Sequence, residues 1–263
     1  MRAEERQSYI LKIAKENGFA SISVIAKELD VSIETVRRDI NKLCEANLLK
    51  KARGGAVISK PSCRKDVNYT LRVRSNQHAK LTIGMEAASM IRDGSVIALD
   101  AGVSVQAIAR CVSGVKNVTF ITNSISVASI LLDRFSTEDV SGRIVFIGGE
   151  IDILNRFSKG ASATNTIMNY YFDIAFISCT ALSSEAVSSY NLDECTYSKQ
   201  LMERSSYSVL IAESDKIGKN SVCSFAKISD FNRIITDDKN EIPADIERIC
   251  ERSKTDLVVV ACG

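Results

Sequence analysis

The chain has 263 residues, a formal net charge of +2, 45% apolar residues, eight cysteines and a single histidine. It is too long for one small domain, and its apolar content is high enough to fill a sizeable core. No apolar run approaches the roughly 20 residues of a membrane span, and residues 1–20 are charged. We therefore expect neither a membrane anchor nor a signal peptide, and we expect the protein to be cytoplasmic.

The N-terminal 58 residues predict three helices. Apolar residues at helical spacing indicate a first helix over Glu5–Asn17 and a short second helix over Ser23–Leu29, with Ser23 as its N-cap. A two-residue turn then leads into a third helix within Val31–Lys42, which Ser32 can cap. Two helices joined by such a tight turn are typical of a helix-turn-helix, whose second helix enters the major groove of DNA.

The third helix has one apolar face and one polar face. Its apolar stripe consists of Ile33, Val36, Ile40 and Leu43. At about 100° per residue, Arg38 points away from this stripe, and Arg37 and Asp39 lie on its flanks. Arginine bound to guanine is the commonest specific contact in the major groove. We therefore predict that Arg38, Thr35 and Lys42 contact bases.

The segment Asn47–Ser59 predicts two short strands with a bend at Gly54–Gly55, which is the wing of a winged helix. Lys50, Lys51 and Arg53 would lie near DNA phosphates. The predicted DNA-binding residues are Ser23, Ser32, Thr35, Arg37, Arg38, Lys42, Lys51, Arg53 and Gly54. Residues 1–60 carry a net charge of +4 and the rest of the chain −2. Because +4 is modest for binding DNA, we expect a homo-oligomer, either a dimer or a tetramer.

Residues 59–76 are polar and predict a linker, and residues 77–263 predict a second domain in which short apolar strands alternate with helices. The predicted strands are Ser95–Leu99, Val118–Ile121, Arg143–Ile147, Asp173–Ser178, Ser208–Ala212, Arg233–Thr236 and Asp256–Val260. The predicted helices are Lys80–Ile91, Ser104–Val112, Ile125–Asp133, Ala161–Tyr170, Glu194–Ser206 and Pro243–Ser253. This order predicts a doubly wound, mostly parallel α/β sheet that helices cover on both faces.

Ligands of such sheets bind beyond the carboxyl ends of the strands. The loops that follow the strands are small, polar and rich in glycine. Gly102 with Ser104, and also Asn123–Ser124, can offer backbone N–H groups to an anion, and Lys216 adds a positive charge. Asp100 can accept hydrogen bonds from hydroxyl groups, so a phosphorylated polyol suits this edge. The predicted effector-binding residues are Asp100, Gly102, Val103, Ser104, Thr122, Asn123, Ser124, Gly149, Glu194 and Lys216.

Other kinds of site have little support in the sequence. The cysteines never fall two or three residues apart, which argues against a zinc site, and most of them lie in apolar surroundings. The only histidine, His78, lies in a polar stretch that favours a surface position, so a catalytic Ser-His or Cys-His pair is not expected. The chain contains neither GxGxxG nor GxxxxGK[ST], the dinucleotide and P-loop motifs. We therefore expect no metal, no cofactor and no catalytic residue.

Two sets of motifs point to a family. The first is VSIETVRRDINKL followed by ARGGAV. The second comprises KLTIG at Lys80–Gly84, Asp93–Gly94, Asp100, Gly102, Thr122–Ser124, Gly148–Gly149, Gly160, Asp173, Lys216 and Ile235–Asp237. With these motifs the whole chain resembles the DeoR family of bacterial transcriptional regulators. The resemblance implies a winged helix followed by a sensor domain with the ribose-phosphate isomerase-like fold.

The resemblance also implies a function, and the sequence departs from the family pattern in three places. Family members usually repress genes of sugar or nucleoside catabolism until a phosphorylated sugar binds. Here Gly102-Val103-Ser104 replaces the usual Gly-Thr-Thr, Glu213 replaces the usual Asp, and the segment LSSEAVSS lacks the usual glycine. These departures bear on which effector binds, and on whether one binds at all.

Three functions are consistent with these observations. The leading one is a sequence-specific DNA-binding regulator, a repressor of carbohydrate catabolism genes that a phosphorylated sugar releases. Its partners would be double-stranded operator DNA, the phosphorylated sugar and further copies of the chain. The second is a sugar-phosphate isomerase-like enzyme with an appended DNA-binding domain, which would use Asp193 or Glu194 as a base. The third is a DNA-binding regulator that responds to no ligand.

Overall fold

The computed structural model of the chain describes residues 3–45, 48–58 and 69–262. The chain divides into two compact units, Met1–Val67 and Asn68–Gly263. Of the predicted linker, residues 59–68 lie outside the described part of the chain, and Tyr69–Arg74 forms a helix of the second unit. None of the described helices is long and apolar enough to cross a membrane.

The first unit is a helix-turn-helix followed by a wing, as predicted. Its helices are α1 (Ala3–Asn17), α2 (Ile22–Glu28) and α3 (Ile33–Glu45), and its strands are β1 (Ala20–Ser21), β2 (Leu49–Ala52) and β3 (Gly55–Ile58). The strands form an antiparallel sheet in the order β1-β3-β2. Strand β1 was not predicted, because two residues are too few to show the alternation of a strand. It lies so close to β3 that a Cβ atom on Gly55 would be 2.1 Å from the carbonyl oxygen of Ala20.

The core of the first unit forms around α3. Val36, Ile40 and Leu43 are buried as predicted and pack in one cluster with residues of α1, α2 and the wing. The prediction for Ile33 is wrong, because its side chain is 52% exposed. It is the first residue of α3, and the buried stripe of this helix begins one turn later.

Asp39 was expected on the flank of α3, and it is instead buried at 3% exposure. Its carboxylate accepts a hydrogen bond from Arg6 Nε at 2.6 Å and another from Gln7 Nε2 at 3.1 Å. Both donors lie on α1, so a buried ion pair fastens the first helix to the third. A buried charge is tolerated only where such partners replace its lost hydration.

The second unit contains α4 to α10 and β4 to β15. Its helices are α4 (Tyr69–Arg74), α5 (Gln77–Ala88), α6 (Val103–Cys111), α7 (Ile125–Phe135), α8 (Gly160–Ile167), α9 (Leu192–Glu203) and α10 (Ala244–Ser253). The strands of its main sheet are β4 (Val96–Leu99), β5 (Val115–Thr122), β6 (Val140–Phe146), β9 (Phe172–Ser178), β12 (Ser205–Ile211), β14 (Arg233–Asp237) and β15 (Asp256–Val260). The shorter strands are β7 (Glu150–Asp152), β8 (Phe157–Lys159), β10 (Ala181–Leu182), β11 (Val187–Ser189) and β13 (Cys223–Ala226).

The main sheet has seven strands in the order β15-β14-β12-β9-β4-β5-β6, and every neighbouring pair is parallel. Alternate residues of its strands enter separate cores, since Ala175 packs with α8, α9 and α10 whereas Phe176 packs with α5, α6 and α7. This confirms the predicted doubly wound parallel fold. The strand order reverses between β4 and β9, and this is where doubly wound sheets bind their ligands.

The buried ion pair of Asp39 gives a test of how the first unit is held together. We expect Asp39→Ala to destabilise it by about 3 kcal/mol, because the change leaves the Arg6 guanidinium without its buried carboxylate. Differential scanning calorimetry of the full chain measures the loss. In contrast, Glu34→Ala removes an exposed pair with Arg37 and should cost at most about 1 kcal/mol. Equal melting of the Asp39→Ala variant and the wild type would contradict this account.

Candidate DNA-binding surface and effector site

The start and the exposed face of α3 agree with the geometry expected of a DNA-contacting helix. Ser32 caps the helix, because its Oγ accepts the backbone N–H of Thr35 at 3.1 Å. Arg37, Arg38 and Lys42 are exposed. Arg37 pairs with Glu34 at 3.0 Å, whereas Arg38 makes no hydrogen bond or ion pair with any described residue. The Arg38 guanidinium is therefore available to an external acceptor.

The wing adds more exposed positive charge. Lys51 lies on β2, and Arg53 and Gly54 form the two-residue turn between β2 and β3. Gly54 has a φ of +81°, a conformation that favours glycine and explains why this residue type stands in the turn. Lys51 and Arg53 are exposed as predicted, so the wing presents two cations to solvent.

Ser23 is not the cap of α2, so this prediction is wrong. The helix begins at Ile22, and the preceding Ser21 makes no capping hydrogen bond with its side chain. The N–H of Ile22 instead donates to the carbonyl oxygen of Gly54 in the wing turn at 3.0 Å. The pairing of β1 with β3 brings these two groups together, which the local sequence could not reveal. Ser23 itself is exposed in the first turn of α2.

In the second unit, Glu213 lies at the centre of a charged cluster that the sequence did not predict. It follows β12 and is buried, and its carboxylate accepts a hydrogen bond from Ser104 Oγ in the first turn of α6. Lys216 Nζ lies 3.3 Å from one carboxylate oxygen and Lys80 Nζ 3.5 Å from the other. Lys216 Nζ also donates to Ser104 Oγ at 3.4 Å, so the structure brings together these two predicted effector residues.

Lys80 was not among the predicted effector residues, although it begins the KLTIG motif. A lysine in a helix normally lies on its solvent face, but Lys80 is buried on α5. Its Nζ donates to the carbonyl oxygen of Arg72 at 2.8 Å and to that of Ser75, at the end of α4. Lys80 therefore joins the charged cluster to α4.

Charge controls the protonation of this cluster. Burial alone would raise the pKa of Glu213, but the ammonium groups of Lys216 and Lys80, with the hydroxyl of Ser104, bring it below the ordinary value of 4.5. Burial lowers the pKa of Lys80, and the carboxylate of Glu213 opposes that shift. Glu213 is thus ionised at neutral pH.

Asp100 is buried and hydrogen-bonds mainly within the protein, and its predicted contact with an effector stays a prediction. Its carboxylate accepts hydrogen bonds from the N–H of Ala101 at 2.8 Å, the N–H and Oγ of Ser178 at 3.0 and 3.1 Å, and Ser198 Oγ at 3.1 Å. Burial raises the pKa of Asp100, and these donors oppose the shift. Three of these donors converge on Oδ2 and one reaches Oδ1, so Asp100 fixes the ends of β4 and β9 to α9 while Oδ1 keeps one lone pair.

The first turn of α6 still lies where the sequence placed it. A Cβ atom on Gly102 would be 2.1 Å from Ser178 Oγ, so only glycine fits between the ends of β4 and β9. Gly102 precedes α6, and Val103 and Ser104 are its first residues. Their backbone N–H groups have no acceptor within the helix and carry the positive end of its dipole. This is the part of the predicted anion site that the structure retains.

In the loop after β5, the N–H group of Ser124 is used within the protein and is not free for an anion, whereas the predicted role of Asn123 stays a prediction. The N–H of Ser124 donates to Thr122 Oγ1 at 3.0 Å, and the N–H of Ile125 donates to the carbonyl oxygen of Arg156 at 3.0 Å. Ser124 Oγ caps α7. The amide of Asn123 donates to Ser158, and its buried Oδ1 has no partner among the described residues.

The two remaining predicted effector residues, Gly149 and Glu194, have roles in local packing and helix capping. Gly149, with a φ of +157°, lies against β8, where an added Cβ would be 2.6 Å from the carbonyl oxygen of Lys159. Glu194 lies in the first turn of α9, and its N–H donates to the capping side chain of Asn191 at 2.8 Å.

A further candidate, Tyr197 on α9, escaped sequence analysis. Its side chain is buried, and its hydroxyl has no hydrogen-bond partner within the described ranges. Burial and the nearby Asp100 raise the pKa of Tyr197 well above the ordinary value, so its hydroxyl stays a neutral donor.

Burial likewise raises the pKa of Cys179 to about 12, which makes this thiol a small buried hydrophobic group, as predicted, and a poor nucleophile. The described part of the chain holds no group of three or more His, Cys, Asp or Glu side chains suited to a metal ion.

Comparisons with known proteins match both units. Residues 6–62 match the DeoR-like helix-turn-helix domain, and residues 75–238 match the DeoR C-terminal sensor domain. The HTH-type transcriptional repressor GlcR of Bacillus subtilis is 31% identical over 238 residues, which cover 90% of this chain and 89% of that protein. The glycerol-3-phosphate regulon repressor of Escherichia coli is 26% identical over 238 residues, 90% of this chain and 92% of that protein.

Among solved structures, ribose 5-phosphate isomerase A of Methanocaldococcus jannaschii overlaps with 55% of this chain and 56% of its own. The two are 18% identical, and the TM-score is 0.39. A likeness of this size assigns no chemistry to the present chain.

The charges around Glu213 predict a pH-dependent stability. Because the pKa of Glu213 in the folded chain lies below 4.5, its ion pairs stabilise the fold fully above that pH and are lost as pH falls through the folded pKa. We expect Glu213→Gln to lower the free energy of unfolding by about 3 kcal/mol at pH 7. This difference from the wild type should shrink below pH 4.5. Urea unfolding across this pH range measures it. Asp100 is present in both proteins, so its titration cancels in the comparison. If the difference in unfolding free energy did not change with pH, the role given to Glu213 would be wrong.

Proposed function

Since this chain belongs to the DeoR family of transcriptional regulators, we propose that it represses its target genes by binding an operator through α3 and the wing. The observation that carries this proposal is the exposed cationic surface of the first unit, where Arg38 has no partner among the described residues. The names of the relatives support it, because GlcR and the glycerol-3-phosphate regulon protein are both called repressors.

Within this surface we assign two kinds of contact. Arg38, with Thr35 and Lys42, contacts base edges in the major groove, where a guanidinium can bind guanine in a bidentate manner. Ser32, Lys51 and Arg53 bind phosphates, which position the protein but do not distinguish sequences. We assign the remaining predicted residues, Ser23, Arg37 and Gly54, to the same surface.

We propose that a phosphorylated sugar releases the operator. Lys216 and the first turn of α6, Val103 and Ser104, would hold the phosphate, since a helix N-terminus with a nearby ammonium favours an anion. Induction requires that this ligand bind the DNA-free arrangement more tightly than the DNA-bound one. In this proposal, the genes that the protein represses are those of carbohydrate catabolism.

The protein acts, in this proposal, as a cytoplasmic homo-oligomer, a dimer or a tetramer, and not as an enzyme. A first unit of net charge +4 provides few phosphate contacts, so two half-sites bound together supply the affinity that one lacks. The isomerase-like alternative would need Asp193 or Glu194 as a base. Both lie in the first turn of α9, where the helix dipole stabilises acidic side chains whether or not they have a catalytic role.

Arg38 and Lys51 should differ in the kind of DNA binding they support. Arg38→Ala should weaken the free energy of operator binding by roughly 1–3 kcal/mol and relax the base preference at one position. Lys51→Ala should weaken binding to all sequences alike and reduce the salt slope by about one per site. Fluorescence anisotropy with operator and scrambled duplexes at several salt concentrations separates the two effects. Retention of full operator affinity by Arg38→Ala would show that another face of α3 contacts the bases.

The effector proposal is tested by release of the operator with a panel of sugar phosphates and the matching free sugars. We expect one phosphate ester to release the DNA and its free sugar to have no effect, because the site is cationic. Lys216→Ala should bind the operator normally but need at least about tenfold more effector, since it loses one charge-assisted contact. Lys199→Ala, an exposed lysine of α9, is the matched control and should respond as the wild type does. Release that is equally strong in Lys216→Ala would exclude this site.

A further inference from the structure

We propose that Glu213 is a built-in competitor for the phosphate group of the effector. This inference rests on the proposed function, because it concerns the same anion site. Ser104 Oγ, Lys216 Nζ and Lys80 Nζ are the side-chain donors at the start of α6. All three already contact one carboxylate, that of Glu213. The chain thus supplies its own anion to the donors that a phosphate would use.

The burial of the three charged side chains sets the direction of approach. The side chains of Glu213 and Lys80 are each 7% exposed, whereas that of Lys216 is 24% exposed. An anion from solvent therefore reaches Lys216 first. It then meets the carboxylate of Glu213, which lies 3.3 Å from the same ammonium nitrogen.

The charge balance explains why Glu213 opposes binding. Glu213, Lys80 and Lys216 together carry one net positive charge, and the carboxylate of Asp215 also acts on Lys80. A phosphate monoester that binds Lys216 while Glu213 stays in place brings like charges within roughly 4 Å of each other, and they repel. Binding therefore requires Glu213 to give up at least its contacts with Ser104 and Lys216.

This competition selects the chemical class of the ligand. A neutral sugar cannot replace a carboxylate that two lysines hold, and a singly charged carboxylate gains nothing over Glu213. A dianionic phosphate ester carries the extra charge needed to displace it. Glu213 therefore raises the effector concentration at which the site fills, and it excludes unphosphorylated sugars.

The test compares binding of inorganic phosphate to the full chain and to Glu213→Gln, by isothermal titration at constant ionic strength in chloride. Glutamine keeps the shape and can still accept from Ser104, but it removes the competing charge. We expect Glu213→Gln to bind phosphate about tenfold or more tightly than the wild type does. Glu203→Gln, whose carboxylate forms an exposed pair with Lys199, is the matched control and should bind phosphate as the wild type does.

A second variant guards against loss of folding. Glu213→Asp keeps the charge but is one methylene shorter, so it cannot contact Ser104 and both lysines together, and we expect phosphate affinity between those of the wild type and Glu213→Gln. If Glu213→Gln folds only when phosphate is added, that dependence supports the competitor role. Affinity unchanged or weaker in both variants would overturn it.

The two proposals fail separately. If both variants gain phosphate affinity but no sugar phosphate releases the operator, the competitor stands and the proposed effector response falls. If a sugar phosphate releases the operator from the wild type but neither variant gains affinity, only the competitor role falls.

Discussion

A carboxylate removed from water must be surrounded by cations or hydrogen-bond donors, and this constraint governs both units of the protein. Asp39 fastens α3 to α1 through Arg6 and Gln7. Asp100 fastens β4 to β9 and α9 through serine hydroxyls and backbone N–H groups. Glu213 joins the end of β12 to α5 and α6 through two lysines and a serine. Each acid connects elements that are remote in the chain, so each contributes to specifying the fold as well as to the chemistry near it.

These acids also mark the limit of prediction from one sequence. Helices and parallel strands follow from apolar periodicity, and the predicted elements of both units formed with shifts of a few residues at their ends. Periodicity treats every charged residue as exposed, so it placed Asp39 on a flank and passed over Lys80 and Glu213. Their partners lie far away in sequence, 33 residues for Arg6 with Asp39 and 109 for Ser104 with Glu213. Only the packed chain shows that such residues meet.

The candidate effector site was predictable in place but not in detail. The rule that ligands bind beyond the carboxyl ends of parallel strands directed attention to Ser104 and Lys216, whose side chains the structure brings together. It could not show that Asp100 accepts hydrogen bonds from Ser178, or that the N–H of Ser124 donates to Thr122, within the protein. Tyr197 and the unpaired amide oxygen of Asn123 have the opposite property, since their polar atoms are buried without partners in the described structure. Such atoms are costly, and their presence is easier to understand near a ligand than in a closed core.

The hydrogen bond from the N–H of Ile22 to the carbonyl oxygen of Gly54 makes the wing part of the helix-turn-helix. The wing turn supplies an acceptor for the first N–H group of α2. The insertion of a residue between Arg53 and Gly54 would therefore alter more than the reach of a loop over the DNA backbone, because it would also remove the acceptor that fixes where α2 begins. Changing the length of this turn therefore disturbs α2 as well as the contact with DNA. Substitutions at Lys51 and Arg53 change the side chains that face DNA and leave this backbone contact intact.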